Sequence, residues 1–224
     1  MKKIAKIIKT SIRRLGFDIS RIDQVQEGWS VDSPEYVRLL EEYSGILEDL
    51  NVKKIHYGCG RRLFGDGWVN VDRNMSTSNE ENLYMSADLT FKHPFPSDHF
   101  LFAFAEDFLE HLTQDESLIF LSEVFRCLQT GGVLRLSFPG LSGILRQHYR
   151  SSDFEGAAMG RREAFTLWGH QHYYCEESLT VVSQHIGFSK IDFVTYGVSK
   201  YDALKDLDHR VEQQHLNIYA ELIK

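Results

Sequence analysis

Cysteine is scarce in this chain. Only Cys59, Cys127 and Cys175 occur in 224 residues, too few and too scattered for a disulfide framework, so a reducing compartment is expected. No apolar run approaches the roughly 20 residues that a membrane span requires. The basic start lacks an uninterrupted apolar stretch with a small-residue cleavage site, so a secretory signal is not expected. Internal repeats and low-complexity tracts are missing. Positive charge is also short over most of the chain. The net charge is -7, yet residues 1 to 21 hold seven Lys/Arg against the single acid Asp18, which leaves 18 basic and 31 acidic residues, or -13, for the remainder. So acidic a body argues against nucleic acid as a partner, because neutralising phosphates needs a positive footprint.

What is present reads as one globular unit with two appendages. Hydrophobic residues at 42% and charged residues at 25% are ordinary globular values, and the length allows one domain with a sizeable core. In residues 1 to 21, Ile4, Ile7, Ile8, Ile12 and Leu15 recur at three-to-four-residue spacing between lysines and arginines, the pattern of a basic amphipathic helix. Such a helix suits peripheral contact with an anionic membrane face, and equally suits packing on the body. Residues 22–52 read as a linker followed by an acidic helix that opens at Ser33-Pro34-Glu35, an N-cap with proline at the first helical position, and runs to about Leu50.

From residue 53 to 224 the rhythm changes to short apolar runs between loops and helices. Strands are expected at Lys54 to Tyr57, Trp68 to Asp72, Tyr84 to Asp88, Phe100 to Ala105, Val133 to Phe138, Lys190 to Thr195 and His215 to Ile223, with helices at about 113–129, 141–150 and 176–186. Alternating strands and helices imply an α/β domain with a mostly parallel sheet covered on both faces.

The most informative stretch is Lys54-Ile55-His56-Tyr57-Gly58-Cys59-Gly60, which leads on to Val71-Asp72. An apolar strand ending in Gly-x-Gly lets the backbone turn tightly and approach a ligand without Cβ interference, and an acid at the end of the next strand suits ribose hydroxyls. The third glycine of the dinucleotide fingerprint is missing. Asp72 also follows Gly58 by only 14 residues, short of the spacing of about 20 in NAD binders, so an NAD(P)-dependent oxidoreductase is disfavoured.

Several blocks in order then resemble the class I S-adenosylmethionine-dependent methyltransferases, in particular the small bacterial methyltransferase-type-11 proteins. They are Gly58-Cys59-Gly60 with Gly67-Trp68-Val69-Asn70-Val71-Asp72; Ala87-Asp88-Leu89 with Pro94-Phe95-Pro96; Phe108-Leu109-Glu110-His111-Leu112; Phe120 to Leu128 with Gly131-Gly132-Val133-Leu134; and Gly187-Phe188. Two departures stand out: Phe100-Leu101 where the family often has Phe-Asp, and Thr130-Gly131-Gly132 for its Pro-Gly-Gly. The resemblance implies a Rossmann-like, doubly wound sheet of seven strands, the last one antiparallel. It implies S-adenosylmethionine as cofactor, held by Tyr57, Gly58, Cys59, Gly60, Asp72, Asp88, Leu89 and Glu106. It implies methyl transfer to a small-molecule or glycan acceptor, with O-methylation favoured. A non-catalytic cofactor-binding or scaffold protein on the same fold is the alternative.

Methyl transfer to a hydroxyl needs positioning and a proton acceptor beyond the ends of strands four and five, which points to Asp107, Glu110 and His111 as catalytic residues. The spacing Asp107-x-x-Glu110-His111 also lets both carboxylates and the imidazole converge on a divalent cation. Packing or capping roles for these side chains weigh more, so no metal ligand is assigned. His170, His172 and Tyr174, in an aromatic loop that includes Trp168, are the candidate acceptor contacts; zinc at His170-Gln171-His172 with Cys175 lacks a fourth ligand. Cys59 reads as a small apolar filler, and the charged stretches Arg161-Arg162 and Asp202 to Arg210 read as solvated faces, the latter alternatively as an added loop or helix near the substrate entrance. A cytoplasmic enzyme is expected, attached peripherally at the inner membrane face if residues 1 to 21 bind there.

Overall fold

The computed structural model describes residues 33–73, 82–149 and 153–224. The basic segment 1–21 and the stretch up to residue 32 lie outside the described residues. Helix α1 (Pro34–Asp49) opens as its sequence dictates: the Ser33 hydroxyl accepts the Tyr36 amide at 3.2 Å and Pro34 takes the first turn. It buries Tyr36, Tyr43 and Leu47 on one face. Strands β1 (Lys54–Tyr57), β2 (Trp68–Asp72), β3 (Tyr84–Ser86) and β4 (Phe100–Glu106) follow, then α2 (Gln114–Cys127), β5 (Leu128–Pro139), α3 (Leu141–His148), α4 (Phe154–Arg161), α5 (Glu176–Ile186), β6 (Lys190–Phe193) and β7 (Asn217–Ile223).

The sheet order is β3-β2-β1-β4-β5-β7-β6. β7 runs antiparallel to both neighbours and the other strands are parallel. This is the expected seven-stranded, doubly wound, Rossmann-like arrangement. Strand order reverses between β1 and β4, so a crevice opens beyond their carboxyl ends, where open α/β sheets bind ligands. The central strands are near-continuous apolar runs because both faces are covered: Ile55, Tyr57, Val69, Val71, Ala103, Phe104, Leu134 and Leu136 are all sealed from solvent. α2 starts with a Thr113/Glu116 capping box. α5 ends at Gly187 with φ 125°, where a Cβ would come within 2.9 Å of the Phe125 ring.

Three expectations need correction. Helix α4 and the π-helical turn Arg162–Thr166 after it were not anticipated, because α4 has no apolar stripe; Phe154 and Met159 are exposed. β3 stops at Ser86, short of Asp88. Asp202 to Arg210 is a solvated face only in part: Asp202, Lys205, Asp206 and His209 are exposed, but Leu204 is fully buried and Asp208 nearly so. Asp208 is held by Arg135, which stands in mid-β5 at 0% exposure and also reaches Glu221 of β7 at 3.1 Å. Among the described residues no helix is long and apolar enough to cross a membrane.

Two buried histidines set an acid limit on this core. His56 is stacked on Phe64, and burial lowers its pKa from 6.5 to about 3; burial lowers that of His93 to about 4. Both titrate near 6.5 in the unfolded chain, so between that value and about 4 the unfolded state binds more protons. Stability is therefore full above this window and falls as pH drops through it. Urea melts taken from about pH 7 to about pH 4.5 should show a falling midpoint, less steep in a His93→Gln variant. A midpoint independent of pH over that range would contradict the two neutral imidazoles.

Candidate functional site

The crevice begins at the glycine loop. Gly58 has φ 62° and Gly60 φ 53°, conformations that disfavour a side chain. At Gly58 a Cβ would sit 2.4 Å from the Phe108 ring, whereas at Gly60 it would meet nothing within 4 Å, leaving the backbone open to approach. The Gly60 amide donates to the Asp72 carboxylate at 3.0 Å, tying the loop to the end of β2.

Asp72 forms one wall of a cleft of about 290 Å³ with Asp88, Leu89, Phe108, His111 and Glu116. Burial acts to raise the Asp88 pKa, but the Arg73 guanidinium and the Thr90 hydroxyl and amide outweigh it and hold the carboxyl below its usual value. Leu89 supplies a buried apolar surface. A carboxylate at the end of β2, a second at the loop after β3 and an apolar wall between them fit a nucleoside, so these residues suit the cofactor that the sequence pattern implies.

Five of the eight expected cofactor contacts are not among the walls of this cleft; of these, Gly60 reaches it through its bond to Asp72. Tyr57 is wholly buried, its ring packed against Phe120 and His93, so its side chain belongs to the core. Cys59 is buried, and burial pushes its thiol up to about 12, as befits an inert filler. Gly58 shapes the cleft by admitting Phe108 rather than by lining it. The Glu106 carboxylate is taken by Arg62 at 3.0 Å and by the amide and ring of His209, so it latches the glycine loop to the segment after β6.

A second cavity, of about 490 Å³, lies beside the first, and its walls include Asp107, Glu110, His111, Trp168, His170 and Arg210. Asp107 directly follows β4 in the left-handed region at φ 48° and meets Arg210 at 2.8 Å. Burial raises its pKa against the pull of Arg210. Glu110 follows in the short 3₁₀ turn Leu109–His111. It is only 2% exposed, and burial, then the Asp107 charge, pushes its pKa well up. Two backbone amides, of Gln171 at 2.8 Å and His172 at 3.3 Å, donate to the Glu110 carbonyl and so pin the loop after α4 to this turn. That contact brings the His170 ring to 4.9 Å from the His111 ring.

The expected acceptor contacts divide accordingly. His170 lines the cavity. Tyr174 does not: it is 1% exposed, with its hydroxyl on Ser117, and its side chain is a core element. His172 packs edge-on to Tyr174 and is not among the cavity walls. Arg210 is not among the expected site residues, although the run of charges that ends at it is a visible signal; Trp168 stands in the aromatic loop expected to line the acceptor pocket, and it lines this cavity.

No protein-family model matches the chain, and no curated protein matches it by sequence. Solved structures do match. A SAM-dependent methyltransferase from Archaeoglobus fulgidus aligns with TM-score 0.53 at 13% identity, over 83% of this chain and 94% of that one. The chain shares the fold of this SAM-dependent methyltransferase. A second such methyltransferase, from Mesorhizobium loti, aligns with TM-score 0.50 at 15% identity, over 82% of this chain and 99% of that one. Haemonchus contortus phosphoethanolamine N-methyltransferase 2, solved in complex with S-adenosyl-L-methionine, aligns with TM-score 0.51 at 12% identity, over 97% of this chain and 60% of that one. At these identities the methyltransferase likeness is one of fold.

Proposed function

We propose that this chain transfers a methyl group from S-adenosylmethionine to a hydroxyl of a small-molecule or saccharide acceptor. The observation that carries the reading is the position of His111, which is a wall of both cavities: the cleft of Asp72, Asp88 and Leu89, and the cavity of Asp107, Glu110 and His170. A transferase needs two binding spaces that meet at one point, and one imidazole stands at that point. When bound, S-adenosylmethionine supplies a methyl group on a positively charged sulfur, open to in-line displacement.

The chain's own work is to hold and to activate. Asp72 offers a carboxylate to ribose hydroxyls, and Asp88 with Leu89 frames the base. On the acceptor side Trp168 offers an aromatic face to a sugar ring. Asp107, Glu110, His111 and His170 gather lone pairs where the acceptor hydroxyl must give up its proton. The Glu106 contacts with Arg62 and His209 hold the glycine loop against the segment after β6. The same reading assigns residues 1 to 21, with their basic side chains, to attachment at an anionic membrane face.

Methyl-labelled S-adenosylmethionine should label hydroxyl-bearing saccharide or small-molecule acceptors in the presence of the protein. His111→Ala should slow that transfer by about 100-fold or more. Undiminished transfer by His111→Ala would remove this residue from the reaction.

A further inference from the structure

We propose that Glu110, His111 and His170 bind a first-row divalent transition-metal ion, which holds the acceptor oxygen; the ion's purpose, though not its binding, rests on the methyl-transfer reading above. One carboxylate oxygen and one ring nitrogen from each histidine lie within 4.8 Å of one another. One nitrogen of each ring is already engaged by the backbone. His111 hydrogen-bonds the Gly169 backbone, and His170 Nδ1 lies 3.0 Å from the Ala164 carbonyl and also contacts the Tyr173 hydroxyl. A ring that donates one N–H to a carbonyl carries its lone pair on the other nitrogen, the orientation by which proteins present imidazole to a metal.

Glu110 supplies the second, independent observation. It is 2% exposed, and its Oε2 has no hydrogen-bond partner. A buried carboxylate oxygen without a donor is costly. Arg210, the cation on the same cavity, is spent on Asp107 at 2.8 Å and reaches Glu212 at 3.6 Å. A divalent ion among the three side chains would satisfy Glu110 and use both lone pairs. Two imidazoles and one carboxylate favour a first-row transition ion over magnesium or calcium, which prefer all-oxygen sites.

All three ligands line the acceptor cavity, so the remaining coordination positions face the space where an acceptor would lie. A hydroxyl coordinated there has a lowered pKa, and its proton leaves to solvent. The other described cluster with ligand-like spacing, His93 with Glu123 and Cys127, differs in kind. Its Glu123 is held by Arg126 at 2.7 Å, and that guanidinium opposes a cation.

Cobalt(II) is a suitable probe, since its visible absorption reports nitrogen and oxygen ligation. Full-length protein, stripped with a chelator, should take up one equivalent with a saturable absorption band. Glu110→Gln and His170→Ala should each weaken uptake by about 100-fold or more, beyond the loss that follows damage to outer-shell support. Both variants should still bind S-adenosylhomocysteine like the wild type, which shows that they are folded. Absence of saturable uptake by the wild type would overturn the proposal, as would uptake that survives His170→Ala, because the ion would then sit elsewhere. Failure of the wild type to bind S-adenosylhomocysteine is a separate outcome: it would overturn the methyl-transfer reading and leave the cobalt result to judge the metal site alone.

Discussion

Replacing Arg135 by methionine is expected to destabilise the protein by about 3–5 kcal/mol, the cost of breaking a buried ion pair from one side. Arg135 is sealed in mid-β5. Its guanidinium contacts Asp208 at 3.1 Å through Nε and Glu221 at 3.1 Å through Nη1, and it donates to the carbonyls of Val198 and Thr195. Methionine fills most of the volume but leaves two buried carboxylates without a cation. The change reaches the site as well, because Asp208 immediately precedes His209, which latches Glu106, and Arg210, which pairs with Asp107. Urea denaturation at neutral pH measures the cost. A loss below about 1 kcal/mol would mean that the pair is a surface-like contact.

The second large effect concerns Asp72. Its carboxylate joins two functions: it fixes the Gly60 amide at 3.0 Å, and it walls the cleft beside Leu89. Asp72→Ala removes a charged acceptor from ribose hydroxyls and frees the loop that must approach the ligand. A hydrogen bond to a charged group contributes about 1.5–3 kcal/mol, so cofactor affinity should fall about 10- to 100-fold. The fold should survive, since Asp72 is the last residue of β2 and only its backbone is paired in the sheet.

Much of this architecture was legible in the residues. β1 and β2 end where Gly58 and Gly67-to-Asp72 patterning places them, because apolar runs cut by glycine leave few choices. α5 was readable from a periodic apolar face closed by Gly187. Helix α4 was not, since its Phe154 and Met159 face solvent. Tyr57 and Tyr174 misled for a shared reason. Adjacency in sequence to a glycine loop or a histidine pair does not say which side of the backbone a ring takes, and both rings turn to the core. The Arg135 network was invisible because a charged residue inside a strand reads as solvent-facing until the segment that covers it is in place. The meeting of His111 with His170 depends on backbone bonds between residues some sixty positions apart, from Gln171 and His172 to Glu110, which no local pattern encodes.

Calorimetric titration with S-adenosylhomocysteine tests the cofactor cleft most directly. Saturable one-to-one binding by the wild type, weakened about 10- to 100-fold by Asp72→Ala, is the expected result. No binding by the wild type, or binding undiminished after Asp72→Ala, would contradict the assignment of this crevice to the cofactor.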